Sequence, residues 1–184
     1  HYAQCWTFSA DCDGLWRNFK KNSNVVKVSS TVGTVFRQVY DLSNTFHTLS
    51  YFVGKVEYVS QRQIEAFLNK TLNLTGMGGH DLPFVITLLT KRAQFSYENE
   101  VRFIFVKPSG KDIDLTKIRN PWDDSDYFQV NIDPNLTFDE IQIEPWVNMT
   151  TYADMVSDLQ RLGFTNAISR SATYSKPFFE INIK

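Results

Sequence analysis

Cysteine and histidine are scarce in this chain. Its 184 residues include two cysteines, Cys5 and Cys12, and three histidines. A secreted domain of this size usually carries more cysteines, so the low count predicts a reducing, cytoplasmic compartment and two unpaired thiols. The histidines, His1, His47 and His80, lack the spacing of zinc ligands, and the sequence therefore predicts no metal site.

An excess of charge of one sign and long apolar runs are also missing. Nineteen Lys and Arg residues against 20 Asp and Glu residues give a net charge of -1. Long-range attraction to a nucleic-acid backbone is therefore weak, and we expect no general binding to it. No segment approaches the roughly 20 apolar residues that cross a bilayer, so we expect no membrane partner. Gly-rich phosphate loops and the common hydrolase and zinc-protease motifs are absent too, and the oligomeric state stays open.

What the chain does contain is typical of a globular protein. Hydrophobic residues make up 42% and charged residues 21%, which is enough to build a core. We predict a single domain over residues 1–184. Strand-like runs are interspersed with amphipathic helices, and regular βαβ alternation is lacking. The predicted fold is therefore α+β, with a mixed, largely antiparallel sheet and about five helices packed on it.

Local signals predict several helix ends and part of the core. Thr31 is a candidate N-cap, and Gly163 is a candidate residue just after a helix. Two pairs resemble capping boxes, namely Ser60 with Gln63 and Thr151 with Asp154. The residues predicted to be buried on apolar faces are Trp6, Trp16, Val28, Val56 and Phe103.

The segment Phe95–Val106 is the most informative part of the sequence. The clearest predicted strand begins at Tyr97, and in a strand side chains alternate between two faces, so Glu98, Glu100 and Arg102 would share one of them. Two carboxylates beside a guanidinium can bind a hydroxylated or phosphorylated ligand, with one carboxylate held ionised and the other shifted in pKa. The same spacing also suits a solvent-facing ladder of ion pairs without a ligand.

A second candidate site is formed by Ser29, Ser30 and Thr31, at the end of a predicted strand and before a helix. Backbone N–H groups at such turns can bind anions, so these residues are candidate ligand-binding groups. The alternative interpretation is an ordinary helix N-cap.

Several motifs together resemble one family. The motifs are Cys5-Trp-Thr, Leu15-Trp-Arg-x-Phe, Val25-Val-Lys-Val-Ser-Ser-Thr, Lys91-Arg-x-x-Phe-x-x-Glu-x-Glu-Val-Arg and Ile141-x-Ile-x-Pro. Their order resembles the prokaryotic family called domain of unknown function 2971, over nearly the whole chain. The block that begins at Lys91 is the most specific, and Arg92 and Arg102 in it join the candidate ligand-binding residues. Family members carry an N-terminal opening that is absent here, so the chain looks like a truncated version of a longer family domain.

The resemblance implies no established activity, but it permits a fold-level analogy. ADP-ribosyltransferases use a Ser-Thr-Ser-like strand followed by a Glu-x-Glu motif, and Ser29–Thr31 precede Glu98 and Glu100 here. By this analogy Glu98 and Glu100 are catalytic, NAD is the cofactor, and the substrate is a nucleotide or nucleic acid. The alternatives are a non-catalytic binding or regulatory module in a defence or toxin system, and an inactive scaffold.

Overall fold

A computed structural model describes residues 2–21, 23–40, 50–75, 82–106 and 130–175. Over these residues the chain mixes helices and strands, as predicted, with eight strands in three sheets. Three of the five strand pairings are antiparallel and two are parallel. The chain divides into two compact units, one of residues 1–10 and 36–131 and the other of residues 11–35 and 132–184. Each unit is described by itself.

The elements alternate irregularly along the chain. The strands are β1 (Tyr2–Thr7), β2 (Val26–Ser29), β3 (Ser50–Lys55), β4 (Glu57–Val59), β5 (Thr90–Arg92), β6 (Glu100–Val106), β7 (Glu140–Ile143) and β8 (Ala167–Arg170). The α-helices are α1 (Asp13–Phe19), α2 (Val32–Val39), α3 (Gln61–Thr75), α4 (Leu82–Leu88), α5 (Pro134–Thr137) and α6 (Met149–Arg161). A 3-10 helix spans Ala93–Glu98.

The first unit is built around β6, which is the middle strand of an antiparallel sheet in the order β1-β6-β3. Its apolar side chains are buried on both faces of the sheet. Ile104 and Val106 pack with Val85 of α4, while Phe103 belongs to the opposite face by alternation. A strand buried on both faces usually carries a near-continuous run of apolar residues. Glu100 and Arg102, at the start of β6, are exceptions to this pattern. Parallel pairing of β4 with β5 gives a second, two-stranded sheet in this unit.

The second unit holds the sheet β2-β7-β8, in which β2 pairs antiparallel and β8 parallel with β7. Trp16 of α1 is buried, and its indole N–H donates to Asp11 at 2.6 Å. The large ring is thus buried with its one polar atom satisfied.

Most predicted helix ends are confirmed. The Thr31 hydroxyl accepts from the backbone N–H of Thr34 at 3.1 Å, and Gly163 follows α6 with φ +92. Ser60 and Gln63 form the reciprocal hydrogen bonds of a capping box.

The predicted capping box of Thr151 with Asp154 is wrong. The helix starts earlier, at Met149, because the Asn148 side chain accepts from the backbone N–H of Thr151 at 2.8 Å and caps the first turn. Of the predicted core, Trp16, Val56 and Phe103 are buried, whereas Trp6 and Val28 are half-buried.

Candidate functional site

The strand predicted to begin at Tyr97 begins at Glu100 instead. Residues Ala93–Glu98 form a 3-10 helix, and Asn99 follows with a left-handed backbone at φ 44 and ψ 54. Asparagine tolerates this conformation better than most residues, so it can turn the chain sharply into β6. Glu98 therefore does not occupy a strand position two steps before Glu100, and the prediction that it shares a strand face with Arg102 is wrong.

The two carboxylates nevertheless meet at one ammonium group. Lys91, on β5, donates to an oxygen of Glu98 and to Oε1 of Glu100, the latter at 2.7 Å. The backbone of Glu98 is fixed by a further hydrogen bond, because its carbonyl accepts from the Thr7 hydroxyl at 2.5 Å. Lys91 was not predicted as a site residue, since its position depends on the pairing of β5 with β4 and not on local spacing.

Glu100 is the most enclosed member of the cluster, with a relative exposure of 7%. Its second oxygen accepts from Nε of Arg102 at 2.7 Å, and its backbone N–H donates to the Tyr58 hydroxyl at 2.9 Å. Arg102 is in turn fixed by donating to the carbonyl of Leu88 at 2.5 Å. A buried carboxylate with both oxygens paired is not part of a solvent-facing ladder, so that alternative does not describe the cluster.

The environment moves the pKa values of the two carboxyl groups in opposite directions. Burial raises the pKa of Glu98, and the neighbouring Glu100 adds to this effect, so that the pull of Lys91 is outweighed. Burial also opposes ionisation of Glu100, but hydrogen bonds from Glu98, Arg102 and Lys91 outweigh it and lower its pKa to about 2. Glu100 is therefore ionised at neutral pH. The pKa of Glu98 is raised and lies closer to neutral pH than that of Glu100.

The remaining titratable neighbours do not supply a nucleophile. Cys5 lies opposite Arg102 in the sheet, and burial of its sulfur raises the pKa of the thiol although the residue is exposed overall. Burial likewise raises the pKa of the Tyr58 hydroxyl. Thiolate and phenolate are both disfavoured at neutral pH as a result. Both cysteines are free, as predicted.

Arg92 lies beside the cluster without contacting its carboxylates in the described residues. It follows Lys91 on β5, so the two side chains leave opposite faces of the strand. Its guanidinium group lies 5.2 Å from the ring centre of Phe95. Lys91 therefore makes the carboxylate contacts, and Arg92 is an exposed cation nearby.

Ser29, Ser30 and Thr31 belong to the second unit and have local partners there. Ser29 pairs with Glu140 at the end of β2, the Ser30 hydroxyl donates to the carbonyl of Thr137 at 2.5 Å, and Thr31 caps α2. The structure thus supports the N-cap interpretation for Thr31. The ligand-binding role of Ser29, Ser30 and Thr31 remains a prediction.

No group of three or more potential metal-ligating side chains occurs within the described ranges, and His1, His47 and His80 lie outside them. None of the helices in those ranges is long and apolar enough to cross a membrane. Comparison with protein-family models, curated proteins and solved structures gave no match. The resemblance to domain of unknown function 2971 therefore stays a prediction.

Proposed function

We propose that the first unit carries the acid–base site of a nucleotide-directed enzyme of the ADP-ribosyltransferase type, with NAD as the cofactor. The observation that carries the proposal is the contact of one ammonium group, that of Lys91, with two carboxylates whose pKa values move apart. Neighbouring carboxyl groups that differ in this way can divide the roles of proton acceptor and fixed charge.

Glu98 is the proton acceptor in this proposal. In the transfer step an acceptor hydroxyl or water attacks C1′ of the ribose that bears nicotinamide. The C1′–O bond forms, the C1′–N bond breaks, and nicotinamide leaves with the bonding electron pair. The proton of the acceptor moves to the Glu98 carboxylate, so no oxidant or reductant is needed.

Glu100 supplies the fixed negative charge. Since its pKa is about 2, it stays ionised at neutral pH and can stabilise a developing positive charge on the sugar. Lys91 and Arg102 fix its orientation through contacts of 2.7 Å each. Arg102 and Arg92 are the arginines nearest to Glu98 and Glu100 in the sequence. We propose them as partners for the phosphates of NAD.

One observation favours a non-catalytic, structural role instead. Both oxygens of Glu100 are already engaged by cations, and its side chain is almost fully buried. Such an ion-pair centre can serve mainly to hold β5, β6 and the 3-10 helix in place. The two roles differ in what they demand of Glu98, because only catalysis needs its proton-accepting oxygen.

The deciding experiment is release of nicotinamide from NAD by the purified chain, followed by chromatography. We expect slow release with water as acceptor, and a loss of about 100-fold or more in Glu98→Gln, since general acid–base groups contribute about that much. Glu57→Gln, an exposed carboxylate on β4, is the matched control and should keep full activity. The proposal is contradicted if the parent protein releases no nicotinamide from NAD. It is also contradicted if the parent and Glu98→Gln release nicotinamide at equal rates.

A further inference from the structure

Two exposed aromatic residues, Phe8 and Tyr97, belong to the backbone segments that meet at Glu98. The Thr7–Ser9 segment runs alongside Tyr97–Asn99, with Phe8 N–H donating to the Asn99 carbonyl at 2.9 Å and the Ser9 hydroxyl to the Tyr97 carbonyl at 3.4 Å. Phe8 is 53% exposed and Tyr97 is 42% exposed. An exposed aromatic ring offers a flat apolar face on which a planar ligand can stack.

Basic side chains accompany these rings. The Lys55 ammonium lies 5.9 Å from the ring centre of Phe8. Near Tyr97, the ammonium of Lys91 and the guanidinium of Arg92 lie 4.9 and 5.2 Å from the ring centre of Phe95. Lys91 is committed to the carboxylates, whereas Lys55 and Arg92 are exposed and have no carboxylate partner among the described residues.

The chemistry of this surface suits a ligand that is aromatic at one end and anionic at the other. A planar base can stack on an exposed ring, and a phosphate can pair with a lysine or arginine next to that ring. A cationic ligand would be repelled by Lys55 and Arg92, and a neutral sugar could stack on a ring but would leave the charges unused. A nucleotide has both features, an aromatic base and an anionic phosphate.

We propose that a nucleotide binds at this aromatic rim, by which we mean Phe8, Lys55, Arg92, Phe95 and Tyr97. Its base stacks on the exposed rings of Phe8 and Tyr97, and its phosphate pairs with Lys55 or Arg92. The nucleotide then lies next to the backbone of Glu98, close to the proposed acid–base site. This inference rests on the proposed function, and it names the substrate class and the residues that select it.

The test is calorimetric titration of the intact chain with AMP, and separately with adenosine and inorganic phosphate. We expect AMP to bind more tightly than either fragment. Phe8→Ala and Tyr97→Ala should each weaken AMP binding about tenfold, since stacking of a base on one ring contributes about that much. Lys55→Ala should weaken the binding of AMP and leave that of adenosine unchanged.

Phe19→Ala is the matched control, because Phe19 is a 72% exposed phenylalanine in the other unit. It should bind AMP like the parent. The melting temperatures of all three aromatic variants are measured alongside, so that a loss of AMP binding is separated from a loss of stability. Lack of AMP binding at millimolar concentration, AMP binding no tighter than that of adenosine, or an equal loss in Phe19→Ala would overturn the proposal.

The design separates this inference from the proposed function. Glu98→Gln should abolish nicotinamide release and retain AMP binding. If AMP binds through the rim but NAD is never consumed, the acid–base proposal fails and the nucleotide site stands. If NAD is consumed and the turnover survives Phe8→Ala and Tyr97→Ala, the nucleotide site is wrong and the acid–base proposal stands.

Discussion

Replacing Glu100 by Gln removes one negative charge from an almost fully buried position and keeps the shape of the side chain. Lys91 and Arg102 then lose the carboxylate that both contact at 2.7 Å. The pKa of Glu100 falls from 4.5 to about 2 in the folded chain. At about 1.4 kcal/mol for each pH unit between these values, the charge contributes about 3 kcal/mol to the free energy of unfolding. Removing one partner of a buried ion pair costs a similar amount, about 3–5 kcal/mol.

The sign of the pH dependence follows from the direction of the shift. Because the folded-state pKa of Glu100 lies below its unfolded value, the stabilisation is fully present above pH 4.5 and is lost as the pH falls through about 2. At neutral pH, Glu100→Gln should therefore unfold at a lower urea concentration than the parent. The difference should shrink as the pH approaches the lower value, where the parent carboxylate is itself protonated.

Urea unfolding followed by tryptophan fluorescence measures this difference. Glu57→Gln, with its exposed carboxylate on the neighbouring strand β4, should unfold like the parent and serves as the control. The reasoning is refuted if Glu100→Gln has the same midpoint as the parent at neutral pH. A stability loss in Glu100→Gln also means that its activity cannot assign a catalytic role to this residue, and for this reason the activity test uses Glu98.

Two further predictions concern stability. Burial raises the folded-state pKa of Glu98, so its protonated form favours the fold. Its contribution is fully present below pH 4.5 and is lost as the pH rises through the folded-state pKa. Glu98→Gln should remove this decline, and parallel pH series of urea midpoints for the parent and the variant would show whether it does. Trp16→Ala should cost about 3–5 kcal/mol, because a large buried ring is replaced by a cavity. A melting temperature equal to that of the exposed-ring variant Phe19→Ala would contradict that expectation.

The sequence predicted those features that depend on local periodicity. Alternation along β6 places Glu100 and Arg102 on one face and Phe103 on the other, because strand geometry fixes side-chain direction at every second residue. The capping box of Ser60 with Gln63 was predictable for a similar reason, since both hydrogen bonds join residues three positions apart.

Features that depend on a single backbone angle or on distant pairing could not be predicted in the same way. Asn99 turns the chain with a positive φ, and a run of otherwise strand-like residues conceals that turn. Its asparagine was the available signal, because this residue type is enriched in left-handed conformations. Lys91 and Tyr58 reach Glu100 from nine and 42 positions away, and these contacts follow from tertiary packing, which periodicity does not report.

The charges of the cluster explain why its two carboxylates suit different tasks. Lys91 and Arg102 carry two positive charges, and ionised Glu100 offsets one of them while contacting both. Among the described cations Glu98 pairs with Lys91 alone, so adding a proton to it leaves the inner pairs of Glu100 intact and gives the four groups one net positive charge. An anionic ligand nearby favours that protonated state, because it adds negative charge where Glu98 would otherwise be ionised. Glu98 can thus exchange a proton without breaking the buried pairs that Glu100 maintains, and a nucleotide phosphate bound at the aromatic rim would make the ionised Glu98 carboxylate a stronger proton acceptor.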